Sequence, residues 1–207
     1  MTKMLSRLMK AADATADAIG FRPRPLQGEA MVADAEKRAA RKFRDRSFLP
    51  PLKVLLKSYN EESDLSLFGS LAVKWDIARF LANLLRLEEE EEKTPAILQE
   101  AIDAPVFITG LPRSGTTFLH SLLAQDPANR VPLSWQTIYP YPLAQDARRD
   151  GRAARVNQQF RMFERLSPGV SSLHPLAAST PQECTEITAH VFQSLRFDTT
   201  HFVPSYQ

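Results

Sequence analysis

The sequence predicts an α/β protein, with a helical region over residues 1–103 and the start of a parallel-sheet core over residues 104–207. Three observations carry that expectation. Up to residue 103 the apolar residues recur at helical spacing, and no strand-like run interrupts them. At Val106-Phe107-Ile108-Thr109 a short apolar, β-branched run appears. Directly after it, Gly110 and Gly115 bound a loop that opens into an apolar-periodic helix from Thr116. Strand, tight glycine loop and helix together form the opening unit of a parallel sheet.

Taken in order, Met4, Leu5, Leu8 and Met9 stripe a first helix, expected to pack on the body rather than to lie on a membrane surface. Pro23 and Pro25 break the chain before a charged helix expected from about Glu29 to Arg46, and Pro50-Pro51 break it again. Leu71, Trp75, Ala78, Leu81, Leu84 and Leu85 form the next helical stripe. It trails into Glu88–Glu92, read as a solvated acidic face. Thr94-Pro95 has the form of an N-cap and first residue of a short helix.

In the second half, Val106–Thr109 is expected as a buried strand, Thr116–Ala124 as its helix, and Asp126-Pro127 as the stop. Arg130-Val131-Pro132-Leu133 reads as a second, short strand. Arg152–Leu166 is an amphipathic helix ended by Pro168-Gly169. Thr180-Pro181-Gln182-Glu183 has the form of a capping box opening a helix through about Ser194, and Phe197 to Tyr206 reads as extended. There is no internal repeat and no low-complexity linker.

The composition, 43% hydrophobic and 24% charged over 207 residues, is that of a globular chain able to bury a core. A net charge of +2 is too small to point to nucleic acid. The basic run from Lys37 to Arg46 reads as a solvated helix face rather than a polyanion patch. Cys184 is the only cysteine, which excludes an intrachain disulfide and is compatible with a reducing compartment. Met1 to Gly20 lacks the uninterrupted apolar core of a secretory signal, and no apolar run is long enough to span a bilayer. These features give the expectation of a cytoplasmic protein without a transmembrane segment; the oligomeric state is not specified by the sequence.

The loop Gly110-Leu111-Pro112-Arg113-Ser114-Gly115-Thr116-Thr117 carries the chemistry. Its glycines permit a turn that aims successive backbone N–H groups inward, and the positive end of the following helix faces any anion held there. Thr116 and Thr117 add hydroxyl donors. In the nucleoside-triphosphate loop G-x-x-x-x-G-K-[ST] a lysine follows the second glycine. Here that place is Thr116, and the only cation in the loop is Arg113. With its basic residue at that point, the loop resembles the 5′-phosphosulfate-binding loop of the sulfotransferases that use 3′-phosphoadenosine 5′-phosphosulfate (PAPS), in the Arg-bearing form of a mostly bacterial branch.

The resemblance extends from about Ala104 to the C-terminus. It is carried further by Trp135…Tyr139-Pro140-Tyr141-Pro142, Leu173-His174-Pro175, Pro181-Gln182-Glu183-Cys184 and Val203-Pro204-Ser205-Tyr206-Gln207. Relatives commonly have Trp-Glu where this chain has Trp135-Gln136, so Gln136 is given no role. The resemblance implies a P-loop-type three-layer parallel sheet preceded by the helical region, with residues 104–207 as the N-terminal part of the sulfotransferase domain. The core is expected to be incomplete, because the later strand–loop element that usually holds the 3′-phosphate has no counterpart before Gln207. It also implies PAPS as co-substrate, a small-molecule hydroxyl or amine acceptor, and an enzyme that moves a sulfuryl group between them.

In that reading Gly110, Arg113, Ser114, Gly115, Thr116 and Thr117 bind the donor. Arg113 is permanently cationic and can stabilise the leaving oxygen, though it cannot act as a general acid. The base is sought among histidines and carboxylates. His174 in its irregular Leu-His-Pro segment is the first candidate and Glu183 the second, since the third helical position of a capping box already explains a glutamate there. No metal is called for by an acidic cluster near the loop. Two alternatives stay open: a P-loop kinase or NTPase, and a nucleotide-binding module without activity.

Overall fold

The computed structural model describes residues 2–21, 23–111, 114–142, 150–167, 169 and 176–206. Helix α1 (Thr2–Ala18) lies against α4 and α7, and Asp13 Oδ1 accepts the Phe68 amide at 3.3 Å. Helix α2 (Gly28–Ala39) buries Val32, Ala35 and Glu36. Helix α3 (Leu49–Glu61) begins with Pro50 and Pro51 in its first turn, where a missing N–H costs nothing. Helix α4 (Leu67–Lys93) is capped by Ser66, whose hydroxyl accepts the Gly69 amide at 3.1 Å. A 3₁₀ turn at Pro95–Gln99 follows, at the place where Thr94-Pro95 predicts a short helix.

The second half continues with α5 (Thr116–Leu123), α6 (Ser134–Ile138), α7 (Arg152–Leu166), α8 (Cys184–Thr188) and α9 (Leu195–Thr200). The main core joins both halves of the chain. Leu52, Leu55, Val73, Ile77, Phe80 and Leu81 of the helical region pack with Ala189, Phe192, Phe197 and Val203. Phe80 meets Phe192 and Phe197 edge-on, with ring centroids 6.0 Å away in both cases. A smaller cluster of Tyr139, Val156 and Ala178, flanked by Trp135, Ile138 and Phe160, joins α6 to α7.

Several sequence expectations are redrawn. Helix α2 stops at Ala39, not near Arg46, because Ala40 takes the left-handed conformation at φ 53° and turns the chain back. The basic run beyond it then meets the acidic end of α4. Arg41 pairs with Glu92 at 2.7 Å, Arg44 pairs with Glu91 at 3.0 Å, and the Glu88 carboxylate accepts the Arg44 amide. Neither run is simply a solvated face. On α4 the buried side is Val73, Ile77, Phe80, Leu81 and Leu85, whereas Leu71 and Trp75 are each 54% exposed. Leu81, Leu84 and Leu85 of the predicted stripe do meet the core, but its first half does not, because the aromatic side chains from residues 192 and 197 take up the face centred on Phe80.

Phe197–Tyr206 is not extended: α9 covers its start, and Pro204–Tyr206 is a 3₁₀ turn. No strand occurs among the described residues, and residues 104–111 have no regular structure. Val106 is 75% and Phe107 80% exposed. A parallel strand exists only when a neighbour receives its N–H and C=O groups across a long crossover, and none of the described residues does so. Of the second expected strand, an isolated antiparallel bridge between Leu133 and Pro181 is what forms.

Candidate functional site

The loop after Thr109 is shaped by its glycines. Gly115 has φ +91° and stands as the N-cap of α5, in backbone that L side chains rarely adopt. Gly110 is required for a different reason. A Cβ there would come within 2.7 Å of Ser114 Oγ and 3.0 Å of Thr116 Cγ2, so the two ends of the loop are in close approach. Ser114 also donates its amide to Leu111 O at 3.2 Å, closing the turn. The first-turn N–H groups of α5 have no intrahelical acceptor by the geometry of any helix. They come from Thr116, Thr117 and Phe118, next to an exposed Gly115 and Ser114. An anion placed there would meet converging donors and the positive end of α5.

Gly110, Ser114, Gly115, Thr116 and Thr117 are thus brought to one turn. Arg113 lies outside the described residues, as does His174. Glu183 is exposed and is the N-cap of α8, with no side-chain cap hydrogen bond. The predicted capping box is therefore not formed, since Glu183 stands three positions earlier in the helix than that motif needs. Thr180 is engaged elsewhere: its hydroxyl donates to Ala177 O at 2.7 Å and lies 3.0 Å from Ser134 Oγ.

The segment leading to Glu183 is held by α6. Ser134 and Trp135 donate their amides to Thr180 O and Ala178 O at 2.9 and 3.1 Å, and the Gln182 amide donates to Pro132 O at 2.9 Å. Gln136 has a structural task that its sequence position did not suggest. Its Oε1 accepts the Leu133 amide at 2.9 Å and so caps α6. Arg152 stacks on Trp135 at 4.5 Å, pairs with Asp150, and donates to Tyr139 O and Tyr141 O at 3.0 and 2.7 Å. That guanidinium braces the Tyr-Pro-Tyr-Pro stretch.

A buried ionic cluster lies where α4 meets α8 and α9; its only sign in the sequence is a pair of charges inside an apolar helix. Arg79 binds Asp76 at 2.7 Å and Glu186 at 2.8 Å, while Arg196 binds Asp76 at 2.5 Å and Glu186 at 3.0 Å. Burial disfavours charge on Asp76, but Arg79 and Arg196 outweigh it and lower its pKa. Burial likewise works against Arg79, and Glu186 and Asp76 outweigh it and raise its pKa. Beside them His190 is 5% exposed, and burial together with nearby Arg79 pushes its pKa down to about 4. Its Nδ1 faces Glu186 O at 3.0 Å and its Nε2 faces Asn83 Nδ2 at 2.8 Å, which assigns the proton to Nδ1. Its role is structural. Among the described residues no group of three or more His, Cys, Asp or Glu side chains could hold a metal ion, and no helix is long and apolar enough to cross a membrane.

Residues 105–207 match the model of the sulfotransferase family. Among solved structures the chain is similar to the sulfotransferase STF1 from Mycobacterium tuberculosis H37Rv, with a TM-score of 0.76 and 28% identity over 89% of this chain and 52% of that one. It is also similar to the sulfotransferase STF9 from Mycobacterium avium, with a TM-score of 0.71 and 26% identity over 86% of this chain and 47% of that one. The chain therefore spans about half the length of the solved structures it matches. No curated protein matches it.

Proposed function

We propose, for a chain whose residues 105–207 belong to the sulfotransferase family, that the protein moves a sulfuryl group from PAPS to the hydroxyl of a small-molecule acceptor. The observation that carries this reading is the turn from Gly110 to Thr117, with Gly115 at φ +91° opening α5 and a Cβ at Gly110 crowded by Ser114 and Thr116. Free first-turn amides at a glycine-bounded turn support a phosphate-binding role. Residues 104–207 are read as the N-terminal part of the sulfotransferase domain, and residues 1–103 as the helical region before it.

The donor, when bound, supplies a sulfuryl group carried on a phosphate leaving group. The amides of Gly115 to Thr117 hold the 5′-phosphate, the Ser114 amide being engaged by Leu111 O, and the hydroxyls of Ser114, Thr116 and Thr117 add donors to it. Arg113 places a fixed positive charge in the same loop, where it favours negative charge building on the departing oxygen. His174 takes the proton of the acceptor hydroxyl, with Glu183 as the competing choice. The exposure of Glu183 and its freedom from capping support keeping it in contention.

Titration with 3′-phosphoadenosine 5′-phosphate and with ATP, each with and without magnesium, tests the donor. Magnesium-independent preference for the former supports the reading, and magnesium-dependent preference for ATP makes the protein a kinase or NTPase. Labelled PAPS offered to a panel of hydroxyl and amine acceptors then tests transfer. Arg113→Ala should cut turnover far more than donor affinity. His174→Ala should abolish transfer while spent-donor binding persists. A dead Glu183→Ala beside an active His174→Ala would reverse the assignment of the base.

A further inference from the structure

We infer that Arg79 of helix α4 is a positioning residue for Glu183 and the stretch that leads into it, although it lies outside the residues that match the family. The inference rests on the sulfotransferase reading. One guanidinium joins three elements. Nε and Nη2 of Arg79 hold Asp76 Oδ1 at 3.2 and 2.7 Å on its own helix, Nη2 reaches Glu186 Oε1 of α8 at 2.8 Å, and Nη1 donates to Ile138 O at the end of α6 at 3.0 Å. Asn83, one turn on, donates to the same Ile138 carbonyl at 2.8 Å.

Those contacts fix both anchors of residues 176–183, the stretch that ends on the candidate base Glu183. The stretch from Leu176 to Glu183 follows His174 by two positions and ends at the N-cap of α8. On one side it is tied to the first turn of α6 through Thr180 O and Ala178 O, and on the other it runs directly into α8. Helices α6 and α8 have five residues each, too few to be stable by themselves, so tertiary contacts place them. Arg79 supplies such a contact to both. The planar fork of donors is what permits three directions at once, and a lysine ammonium cannot reproduce it. Glu186 is three residues from Glu183, so a shift of the Arg79–Glu186 pair moves the carboxylate along with the helix it caps.

A brace of buried charges also supports folding, and the test separates the two roles. Among the described residues, no hydrogen bond or ion pair joins the turn Gly110–Thr117 to Asp76, Arg79, Glu186 or Arg196. Donor binding should therefore be spared where turnover is not. The whole chain is prepared as wild type, as Arg79→Lys, and as the double variant Arg79→Met with Glu186→Leu, which leaves the Asp76–Arg196 pair neutral overall. In folded variants the affinity for 3′-phosphoadenosine 5′-phosphate is expected within about twofold of wild type. The transfer kcat is expected to fall by about tenfold to a hundredfold with little change in donor KM. Amide exchange over residues 178–183 should quicken while that of residues 114–119 does not.

A folded variant that keeps wild-type turnover overturns the positioning role, as does a parallel loss of donor affinity and turnover, which marks a general structural defect. If Arg79→Lys does not fold, the double variant decides by the same readings. If the wild type neither transfers nor prefers 3′-phosphoadenosine 5′-phosphate to ATP, the sulfotransferase reading fails on its own account. Exchange then decides the placement: unchanged protection over residues 178–183 in the variants overturns it, and selective loss of protection there supports it.

Discussion

Gly115 and Gly110 answer to different constraints, and their substitutions should fail differently. At Gly115 a side chain would find open space but would sit at φ +91°, a strain of about 1–3 kcal/mol. Gly115→Val is expected to abolish donor binding, read by titration with 3′-phosphoadenosine 5′-phosphate. At Gly110 the obstacle is contact with Ser114 Oγ at 2.7 Å, so Gly110→Ala should weaken binding and the added Ser114→Ala should partly restore it. No recovery in the double variant would show that crowding is not the reason for glycine. His190 sets a pH dependence. Its folded pKa is about 4 against an ordinary 6.5, so between these values the unfolded chain takes up a proton that the folded chain refuses. Stability is then fully present above about pH 6.5 and falls as the pH drops towards 4, by up to about 3 kcal/mol. Glu36, held at about 2 chiefly by Lys42 against an ordinary 4.5, extends the loss at lower pH, from about 4.5 down through 2. Denaturant titrations at a series of pH values check the first window. A folded His190→Gln protein should lose the slope between 6.5 and 4, and an unchanged slope would assign it to another group.

Among the elements, α4 has the clearest division of faces. Ile77→Ala should cost about 2–5 kcal/mol, because the side chain is 1% exposed in the shared core. Leu71→Gln should change stability by less than about 0.5 kcal/mol, since that position faces solvent. The reverse ranking in chemical denaturation would mean that the stripe read from the sequence is the buried one. The acidic end of the same helix and the turn after α2 form a clasp whose pairs are unequal. Arg44 with Glu91 is half-exposed and contributes little, as exposed pairs do. Glu36 is buried and accepts from Lys42 at 2.8 Å, Arg46 at 2.6 Å and the Phe43 amide at 3.2 Å. Glu36→Ala should therefore lower the melting temperature distinctly more than Glu91→Ala, because it strands the buried Phe43 amide. The periodicity that identified α4 as a helix could not settle its rotation. Apolar residues occur on more than one side of it, and the partners that select a face arrive from residues 189–203.

For the whole molecule, large apolar side chains around the candidate turn stand exposed among the described residues. Phe107 and Leu111 are each 80% exposed and Phe118 is 73% exposed, beside Val106 and Leu122. Exposed apolar surface of this kind drives association. The chain should self-associate with rising concentration, and Phe107→Asp with Phe118→Asp should reduce this, measured by light scattering, while helical circular dichroism stays unchanged. Scattering that does not respond to those changes would place the sticky surface elsewhere. The features that the amino-acid sequence determines by itself are those set by neighbouring residues. Glycine spacing marks the turn and the start of α5, proline placement marks the 3₁₀ turn at Pro95, and amphipathic spacing marks α7 with its bounds, whereas Pro50-Pro51 read only as a break and give no sign of α3. Local backbone preference and periodicity are enough for these. What the tertiary structure decided depends on residues far apart in sequence: the meeting of Lys37–Arg46 with Glu88–Glu92, the buried ring of Asp76, Arg79, Glu186 and Arg196, and the core shared between Phe80 and Phe192. A charge in a helix looks solvated until a distant partner neutralises it, and an apolar β-branched run becomes a strand only when another strand receives its hydrogen bonds.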